Sequence, residues 1–343
     1  MTTMRDIAKA AGVSLGTVSN YFNNPEMVAE ETSDAIRDAI KKLDYHPHAA
    51  ARSLKTNQTR RIGMVPLISL EANYSVDPGD YAFLEFLSGV NTGLAELGYD
   101  LLLSVATSPS KEIGIYERLV GERQVDGLIL MGMHSNDNRV KLLLEMDFPF
   151  ITFGQTRLSQ SHAYVDVDGG KGLSVAVNHL VSLGHQRIAY ITPPPDFTLA
   201  EQRWEGFATA MNENHLPIVE EYIEPGGFSE RSGQAAMHIL LDLPQPPTAV
   251  LTANDLCAFG AMRALTTRGY KPGKDISVIG FDNIGYSAHW QPPLTTIAQP
   301  LREIGCQCAN LVVGIATGKE KLPQNLIAPR FVERESTGPV NQI

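Results

Sequence analysis

The sequence predicts a helix-turn-helix domain at the N-terminus and a longer α/β body built from two lobes. In the first 45 residues, apolar side chains recur at helical spacing on both sides of a glycine turn. From residue 61 onward, short apolar runs alternate with amphipathic stretches, which is typical of parallel sheets covered by helices. With 343 residues and 43% hydrophobic content, the chain can form more than one domain with its own core.

The net charge of −10 is unevenly distributed along the chain. Residues 1–61 hold nine Lys/Arg and seven Asp/Glu, a net charge of +2, so residues 62–343 carry −12. Such an acidic body excludes a chain that coats nucleic acid along its whole surface. A basic patch on an acidic body instead suits DNA contact by one small domain.

The first predicted helix has its apolar residues on one face. Met4, Ile7, Ala8 and Ala11 fall at positions i, i+3, i+4 and i+7, the spacing of an amphipathic helix. Gly12 supplies a left-handed stop. A short helix therefore ends at a tight turn.

Two further helices complete the N-terminal domain. Ser14 is a good N-cap for the second helix, which the run 23–25 (Asn-Asn-Pro) ends. A third helix is predicted from Glu30 to Leu43, with acidic residues near its positive end. The inward-facing residues are predicted to be Val18, Tyr21 and Phe22 in the second helix and Ala35, Ile36, Ala39, Ile40 and Leu43 in the third.

Two short helices joined by a glycine turn, with a third closing the core, form the helix-turn-helix arrangement, whose second helix enters the major groove of DNA. Leu15, Gly16 and Asn20 are then expected to face base edges. Asparagine can pair with adenine through two hydrogen bonds, and leucine can contact a thymine methyl group. A generic three-helix interaction module has the same spacing, so that alternative stays open.

Several blocks of sequence together resemble the LacI/GalR family of bacterial transcription regulators. They are the run Arg5-Asp6-Ile7-Ala8-Lys9-Ala10-Ala11-Gly12-Val13-Ser14, Thr17-Val18-Ser19, Ala49-Ala50-Ala51-Arg52-Ser53-Leu54 and Val332-Glu333-Arg334-Glu335-Ser336-Thr337-Gly338. Further family-like blocks lie at 179–185, 252–255, 280–282 and 292–296. The resemblance covers essentially the whole chain.

The resemblance implies that the segment from Pro47 to Leu54 is a hinge, which becomes helical only on operator DNA and pairs with its dimer mate in the minor groove. Three alanines favour a helix, but about eight residues are too few to stay helical alone. Leu54 would be the apolar wedge that kinks the duplex; a contact with the body is its alternative role. The candidate DNA contacts are Leu15, Gly16, Thr17, Asn20, Asn23, Ala51, Arg52, Leu54 and Lys55.

Two positions depart from the family pattern. Gly16 stands where relatives commonly have a polar residue, and it costs the helix about 1 kcal/mol against alanine. Ala29 stands where a serine often caps the third helix, a loss of about 1 kcal/mol. Base readout is therefore expected to depend on Leu15 and Asn20.

The body is predicted to contain parallel sheets with helices on both faces. The resemblance implies a periplasmic-binding-protein-like (type I) effector domain of two lobes. We expect domains at 1–46 (helix-turn-helix), 47–60 (hinge helix and linker) and 61–343 (effector binding and dimerisation). The first lobe would hold about 61–164 and 293–325, and the second about 165–292 and 326–343. The predicted strands are Ile62–Leu67, Asp100–Val105, Gly127–Met131, Phe150–Phe153, Arg187–Ile191, Ala249–Thr252 and Ser277–Phe281, and the clearest helices are Phe83–Leu97 and Asp255–Thr267.

Polar residues just after strands are the candidates for an effector site, because ligands of such folds bind beyond the carboxyl ends of the strands. The resemblance implies that Arg203, Asn254 and Asp282 contact the effector and that Phe228 stacks on it. A carboxylate, an amide and a guanidinium can hold sugar hydroxyls through paired hydrogen bonds. Helix capping is the alternative for Asn254, and a structural ion pair is the alternative for Arg203 with Asp282. The remaining candidates are Tyr81 and Phe83 from the first lobe and Asp168 from a strand-to-helix turn.

The sequence thus predicts a ligand-responsive regulator, and specifically a homodimeric repressor of carbohydrate-use genes with double-stranded operator DNA, a sugar effector and a second copy of itself as partners. Tetramers stay open. A solute-binding protein of the same body fold and a regulator that senses a purine or other metabolite are the alternatives.

No catalytic constellation occurs at recognisable spacing, so an enzyme is not expected, nor is a cofactor. Cys306 and Cys308 lack the further ligands of a metal site. The few cysteines and the absence of any long apolar run indicate a cytoplasmic protein without membrane contact.

Overall fold

The computed structural model describes residues 2–45, 58–68 and 81–340, apart from the side chain of Asn23. The described residues belong to two compact units, one within Met1–Thr59 and one within Arg60–Ile343. The predicted hinge helix, with Ala51, Arg52, Leu54 and Lys55, lies outside the described residues, so its helical state stays a prediction.

The N-terminal unit contains the three predicted helices. Gly12 has a φ of +69°, and its N–H bonds to the Ala8 carbonyl, so the first helix ends in the left-handed turn that glycine allows. Ser14 accepts a hydrogen bond from the Thr17 backbone N–H, and Ala29 makes no side-chain cap. The helices are α1 (Met4–Ala11), α2 (Leu15–Asn23) and α3 (Glu30–Lys42), with a 3-10 turn at Pro25–Met27.

The core of this unit is formed where the helical faces meet. Ile7, Val18 and Ile36 are fully buried, and Phe22 packs its ring 6.2 Å from that of Tyr45. The prediction for Ala35 was wrong, because its side chain is exposed. The face of α3 that packs inward is centred on Ile36 and Ala39, and Ala35 falls outside this narrow stripe.

The first lobe is a six-stranded parallel sheet with helices on both faces. Its strand order is β11-β5-β4-β3-β1-β2. The predicted first strand ends at Met64 rather than Leu67, because Pro66 has no backbone N–H to donate. The strands are β1 (Arg61–Met64), β2 (Asp100–Leu103), β3 (Gly127–Leu130), β4 (Phe150–Phe153), β5 (Tyr164–Val167) and β11 (Gln324–Ile327). The helices are α4 (Tyr81–Glu96), α5 (Pro109–Gly121), α6 (Asn138–Glu145) and α11 (Leu301–Ala316).

The second lobe repeats this topology. Its order is β12-β10-β9-β8-β6-β7, and only β12 runs antiparallel to its neighbour among these strands. The strands are β6 (Ile188–Thr192), β7 (Ile223–Pro225), β8 (Ala249–Thr252), β9 (Ser277–Asp282), β10 (Thr295–Ala298) and β12 (Arg330–Val332). The helices are α7 (Gly169–Ser182), α8 (Thr198–Glu213), α9 (Glu230–Leu241) and α10 (Asp255–Thr267), with 3-10 turns at Glu220–Tyr222 and Gly285–Ala288.

The chain crosses between the lobes slightly later than the sequence suggested. It passes from β5 to α7 after residue 167, from β10 to α11 after residue 298, and from β11 to β12 after residue 327. The expected crossings were 164, 293 and 325. The second is displaced most, because β10 adds to the second sheet beside β9 before the chain leaves that lobe.

Glycines allow close packing of the helix pairs on the sheets. A β-carbon at Gly206 of α8 would overlap the Gly170 carbonyl of α7, and one at Gly260 of α10 would overlap the Glu230 carbonyl of α9. A β-carbon at Gly89 of α4 would meet the backbone of Arg302 in α11. Each pair therefore packs backbone to backbone, which fixes the loops at the strand ends.

Candidate DNA interface and effector site

The first turn of α2 presents the predicted DNA-contact residues. Leu15 is 44% exposed, and Gly16 is also exposed, whereas Asn20 is half-buried. The Thr17 hydroxyl lies 2.9 Å from that of Ser14, so it belongs to the helix cap as well as to this face. The structure thus offers Leu15 as the most accessible side chain of the turn; the base contacts themselves stay predictions.

Arg203 is the buried cation of the second lobe. It is 6% exposed, and its guanidinium carbon lies 3.5 Å from the centroid of the Phe281 ring. Its Nη1 donates a hydrogen bond of 2.7 Å to the Ala253 carbonyl at the end of β8. Burial lowers the pKa of Arg203, and the fields of Tyr190, Asp282 and Asp166 oppose that shift. An arginine stays charged under these conditions, so the site holds a fixed cation.

Asp282 lies beside this guanidinium at the end of β9. Its carboxylate accepts a hydrogen bond of 2.6 Å from Gln299 Nε2, and it is buried. The backbone here is strained, since Asp282 has a φ of +115° and Asn283 a φ of +60°. Left-handed non-glycine residues are costly and cluster at ligand sites.

Asn254 caps a helix, which is the alternative role that the sequence analysis gave it. Its Oδ1 accepts from the Cys257 N–H at 2.9 Å, which caps α10. Its Nδ2 donates to the Phe228 carbonyl at 3.0 Å. Asn254 therefore caps α10 and holds the backbone of Phe228, and its contact with the effector stays a prediction.

Asp168 and the two aromatic candidates of the first lobe have different positions. Asp168 is half-buried and caps α7, accepting from the Lys171 N–H at 2.9 Å. Tyr81 is exposed, and its ring lies 4.8 Å from that of Tyr286 in the second lobe. Phe83 is buried in the core of the first lobe with Phe86. In a helix that begins at Tyr81, residues 83, 86 and 90 share the inward face, and the place of Phe83 in the pocket stays a prediction.

Three residues that the sequence reasoning missed lie at the lobe boundary. The ring of His134, after β3, stacks on that of Phe197, before α8, with centroids 4.8 Å apart, and Phe197 meets Phe228 edge-on at 5.5 Å. The third is Asp166, a buried carboxylate inside β5, whose pKa burial raises. The carboxylate within an apolar strand was the one signal available from the sequence.

The loop that carries His134 is held by a buried arginine. Arg139 donates to the carbonyls of Met131 at 3.1 Å and Gly132 at 2.7 Å. It also binds Asp137 through two nitrogens, at 3.0 and 2.6 Å, and Glu112 through one, at 3.0 Å.

The two acids around this arginine shift in opposite directions. Burial raises the pKa of Glu112, and Arg139 only partly offsets that effect. Burial would likewise raise the pKa of Asp137, but the hydrogen bonds from Arg139 outweigh it, and the pKa is lowered. Glu112 accepts one bond from Arg139, whereas Asp137 accepts two from the Arg139 side chain and one each from the backbone N–H groups of His134 and Arg139.

Asp255 is another buried acid, under the strained turn. It accepts from the Ile284 N–H at 2.9 Å and from the hydroxyls of Ser287 and Thr296, both at 2.5 Å. Burial raises its pKa to about 6, although these donors favour the charged form.

This shift predicts a pH-dependent contribution to stability. An acid whose pKa rises on folding favours the native state when protonated, so its contribution is lost as pH rises from the unfolded value of 3.8 to about 6. The stability advantage of the wild type over Asp255→Asn should therefore fall by on the order of 2 kcal/mol between pH 4 and pH 7. Urea unfolding of both proteins across this range measures it. A pH-independent difference would contradict the shift.

Within residues 2–45, 58–68 and 81–340, no helix is long and apolar enough to cross a membrane. The same residues contain no group of three or more His, Cys, Asp or Glu side chains that could hold a metal ion.

Comparison with known proteins places the chain in a family. Residues 3–48 match the model of bacterial regulatory proteins, lacI family, and residues 177–337 match that of the periplasmic binding protein-like domain. The HTH-type transcriptional repressor PurR of Actinobacillus pleuropneumoniae serotype 3 (strain JL03) is 35% identical over 91% of this chain and 90% of its own length.

Solved structures agree over the full length. The lac repressor dimer bound to operator and the anti-inducer ONPF aligns with a TM-score of 0.86 and 27% identity, covering 98% of this chain and 99% of that one. The transcriptional regulator CelR–cellobiose complex aligns with a TM-score of 0.73 and 30% identity, covering 98% of this chain and 100% of that one. The chain belongs to the LacI family of bacterial regulatory proteins. It is a DNA-binding repressor with a ligand-responsive α/β body, and the DNA-binding domain at 3–48 argues against the solute-binding alternative.

Proposed function

We propose that this repressor acts as a homodimer on operator DNA and that its effector is a small sugar bound between the two lobes. The observation that carries the proposal is the buried guanidinium of Arg203, fixed over Phe281 and flanked by the carboxylates of Asp166 and Asp282. The half-buried ring of Phe228 lies on the same lobe.

The donors and acceptors of this site match a polyol. A hydroxyl group can donate to a carboxylate and accept from a guanidinium, and charge-assisted bonds of this kind are the stronger ones. An aromatic ring such as that of Phe228 can cover the C–H face of a sugar. The similar structure of the CelR–cellobiose complex supports the same ligand class.

Effector binding would act on DNA through the lobe boundary. The Thr198 N–H donates to the Met133 carbonyl at 2.9 Å, and His134 Nδ1 lies 3.0 Å from the Asp196 carbonyl. A ligand that binds one arrangement of the lobes more tightly shifts the population, and operator affinity follows by linkage. Leu15 and Asn20 would read bases, and Leu54 would wedge into the minor groove.

A purine effector is the second candidate. The relatives named PurR, a purine repressor, support it at 34% identity over up to 98% of the chain. The rings of Phe197 and Phe228, 5.5 Å apart, could stack on a planar base as well as on a sugar.

The test measures operator affinity of the full chain. Duplexes that the protein enriches from a random pool would be labelled, and fluorescence anisotropy would be recorded with and without D-cellobiose, D-ribose or hypoxanthine. We expect one of the sugars to change the Kd at least tenfold. A response to hypoxanthine alone would favour the purine candidate, and the absence of any response would reject both.

A further inference from the structure

Asp166 connects the two lobes through its carboxylate. Oδ2 accepts from Gln155 Nε2 of the first lobe at 2.9 Å and from Gln202 Nε2 of the second lobe at 3.3 Å. Oδ1 accepts from the Val167 N–H at 2.8 Å. An ionised carboxylate offers about four acceptor positions, so Oδ1 can accept one further donor.

Arg203, whose charge acts on both Asp166 and Tyr190, is one of the described polar side chains with unsatisfied hydrogen-bonding atoms. Gln202, which donates to Asp166, precedes Arg203 in α8. Within the part of the chain that the structure describes, Arg203 Nε and the Tyr190 hydroxyl are buried without a hydrogen-bond partner. Arg203 is 6% and Tyr190 is 1% exposed. Unpaired buried groups are rare in native proteins and call for a ligand or water.

The site has more negative than positive charge. The carboxylates of Asp166, Asp168 and Asp282 lie at its strand ends, against the single buried guanidinium of Arg203. Lys171, in the first turn of α7, is exposed.

We propose that Asp166 is an effector-site residue that selects an unphosphorylated ligand over its phosphorylated counterpart. The inference rests on the proposed function, because it defines which molecules the same site accepts. A hydroxyl can donate to the free position of Oδ1. A phosphate dianion offers only acceptor oxygens and brings two charges of the same sign as the carboxylates, so it is repelled.

The experiment uses the full chain and three matched pairs of compounds. They are D-ribose with D-ribose 5-phosphate, D-glucose with D-glucose 6-phosphate, and inosine with inosine 5′-monophosphate. Thermal shift identifies binders, and calorimetry gives the Kd of each member. We expect the unphosphorylated member of at least one pair to bind at least tenfold more tightly than its twin.

Asp166→Asn tests the residue itself. The amide has nearly the same shape and lacks the charge, so the preference for the unphosphorylated member should fall about tenfold. Glu213→Gln, at the exposed end of α8, makes the same chemical change away from the site and should leave the preference unchanged. The unliganded melting temperature of each variant reports whether it folds. A folded Asp166→Asn protein with wild-type preference would overturn the role of Asp166.

The outcomes separate this inference from the proposed function. Equal or tighter binding of a sugar phosphate would overturn the inference and leave a sugar effector standing. Binding of inosine but of neither its nucleotide nor any sugar would overturn the sugar effector and support the inference. If none of the six compounds bound, both would be rejected.

Discussion

Replacing Arg203 with methionine should weaken effector binding at least a hundredfold. Each hydrogen bond to a charged group contributes about 1.5–3 kcal/mol, and a guanidinium can give two to adjacent hydroxyls. Methionine has a similar length and can keep the contact with the Phe281 ring, so the lobe should still fold. Calorimetry with the compound that shifts operator affinity measures the loss.

Two further substitutions define what Arg203 contributes. Arg203→Lys keeps the charge but loses the planar fork, and we expect an intermediate loss of affinity. Arg187→Met removes an exposed arginine of the same lobe, whose Nε donates to the Pro246 carbonyl at 3.0 Å, and should leave effector affinity unchanged. If Arg203→Met bound effector like the wild type, Arg203 would be a structural residue, and the proposed site would be wrong.

The N-terminal unit was predictable because its signals are local. A helix stop at Gly12 and a cap at Ser14 depend on neighbours within one turn, and both are present. The missing cap at Ala29 was also correct. Ala35 was assigned to the wrong side because the width of a buried stripe depends on which helix packs against it, and spacing alone does not contain that information.

Seven of the twelve strands of the body were predicted, and they include the edge strand β2 as well as buried internal strands. All seven are present within three residues of their predicted bounds, and two match at both ends. The prediction missed β5, β7, β10, β11 and β12, each of three or four residues. A central parallel strand is apolar throughout, whereas β11 alternates between exposed and half-buried side chains and resembles a loop in the sequence.

The candidate site residues were chosen from single segments of the sequence, and contacts between distant segments were missed. Asp282 was chosen as a residue at a strand end, whereas Arg203 lies inside α8 and was chosen from the family resemblance. The stacking of His134 on Phe197 joins residues 63 positions apart, and Asp166 is defined by partners from both lobes. Such contacts depend on how the lobes come together, which no local pattern encodes.

Replacing Arg139 with methionine should destabilise the body by about 3–5 kcal/mol, which corresponds to a fall in Tm of roughly 10 °C for a unit of this size. The variant would leave the buried carboxylates of Asp137 and Glu112 without their cation, and the carbonyls of Met131 and Gly132 without a donor. Urea unfolding at pH 7.5 measures the loss.

The same variant should regain stability as the pH falls. Burial already raises the pKa of Glu112 in the wild type, with Arg139 opposing that shift. Without the arginine the carboxyl takes up a proton more readily, so the deficit should be smaller at pH 5 than at pH 7.5. Adding Glu112→Gln to Arg139→Met should recover part of the lost stability, because it removes the same buried negative charge.

Arg268→Met is the control: it breaks an exposed ion pair with Asp242 of 2.8 Å and should cost under about 1 kcal/mol. A loss as small for Arg139→Met would mean that water reaches the network and that the loop to His134 is held by other contacts.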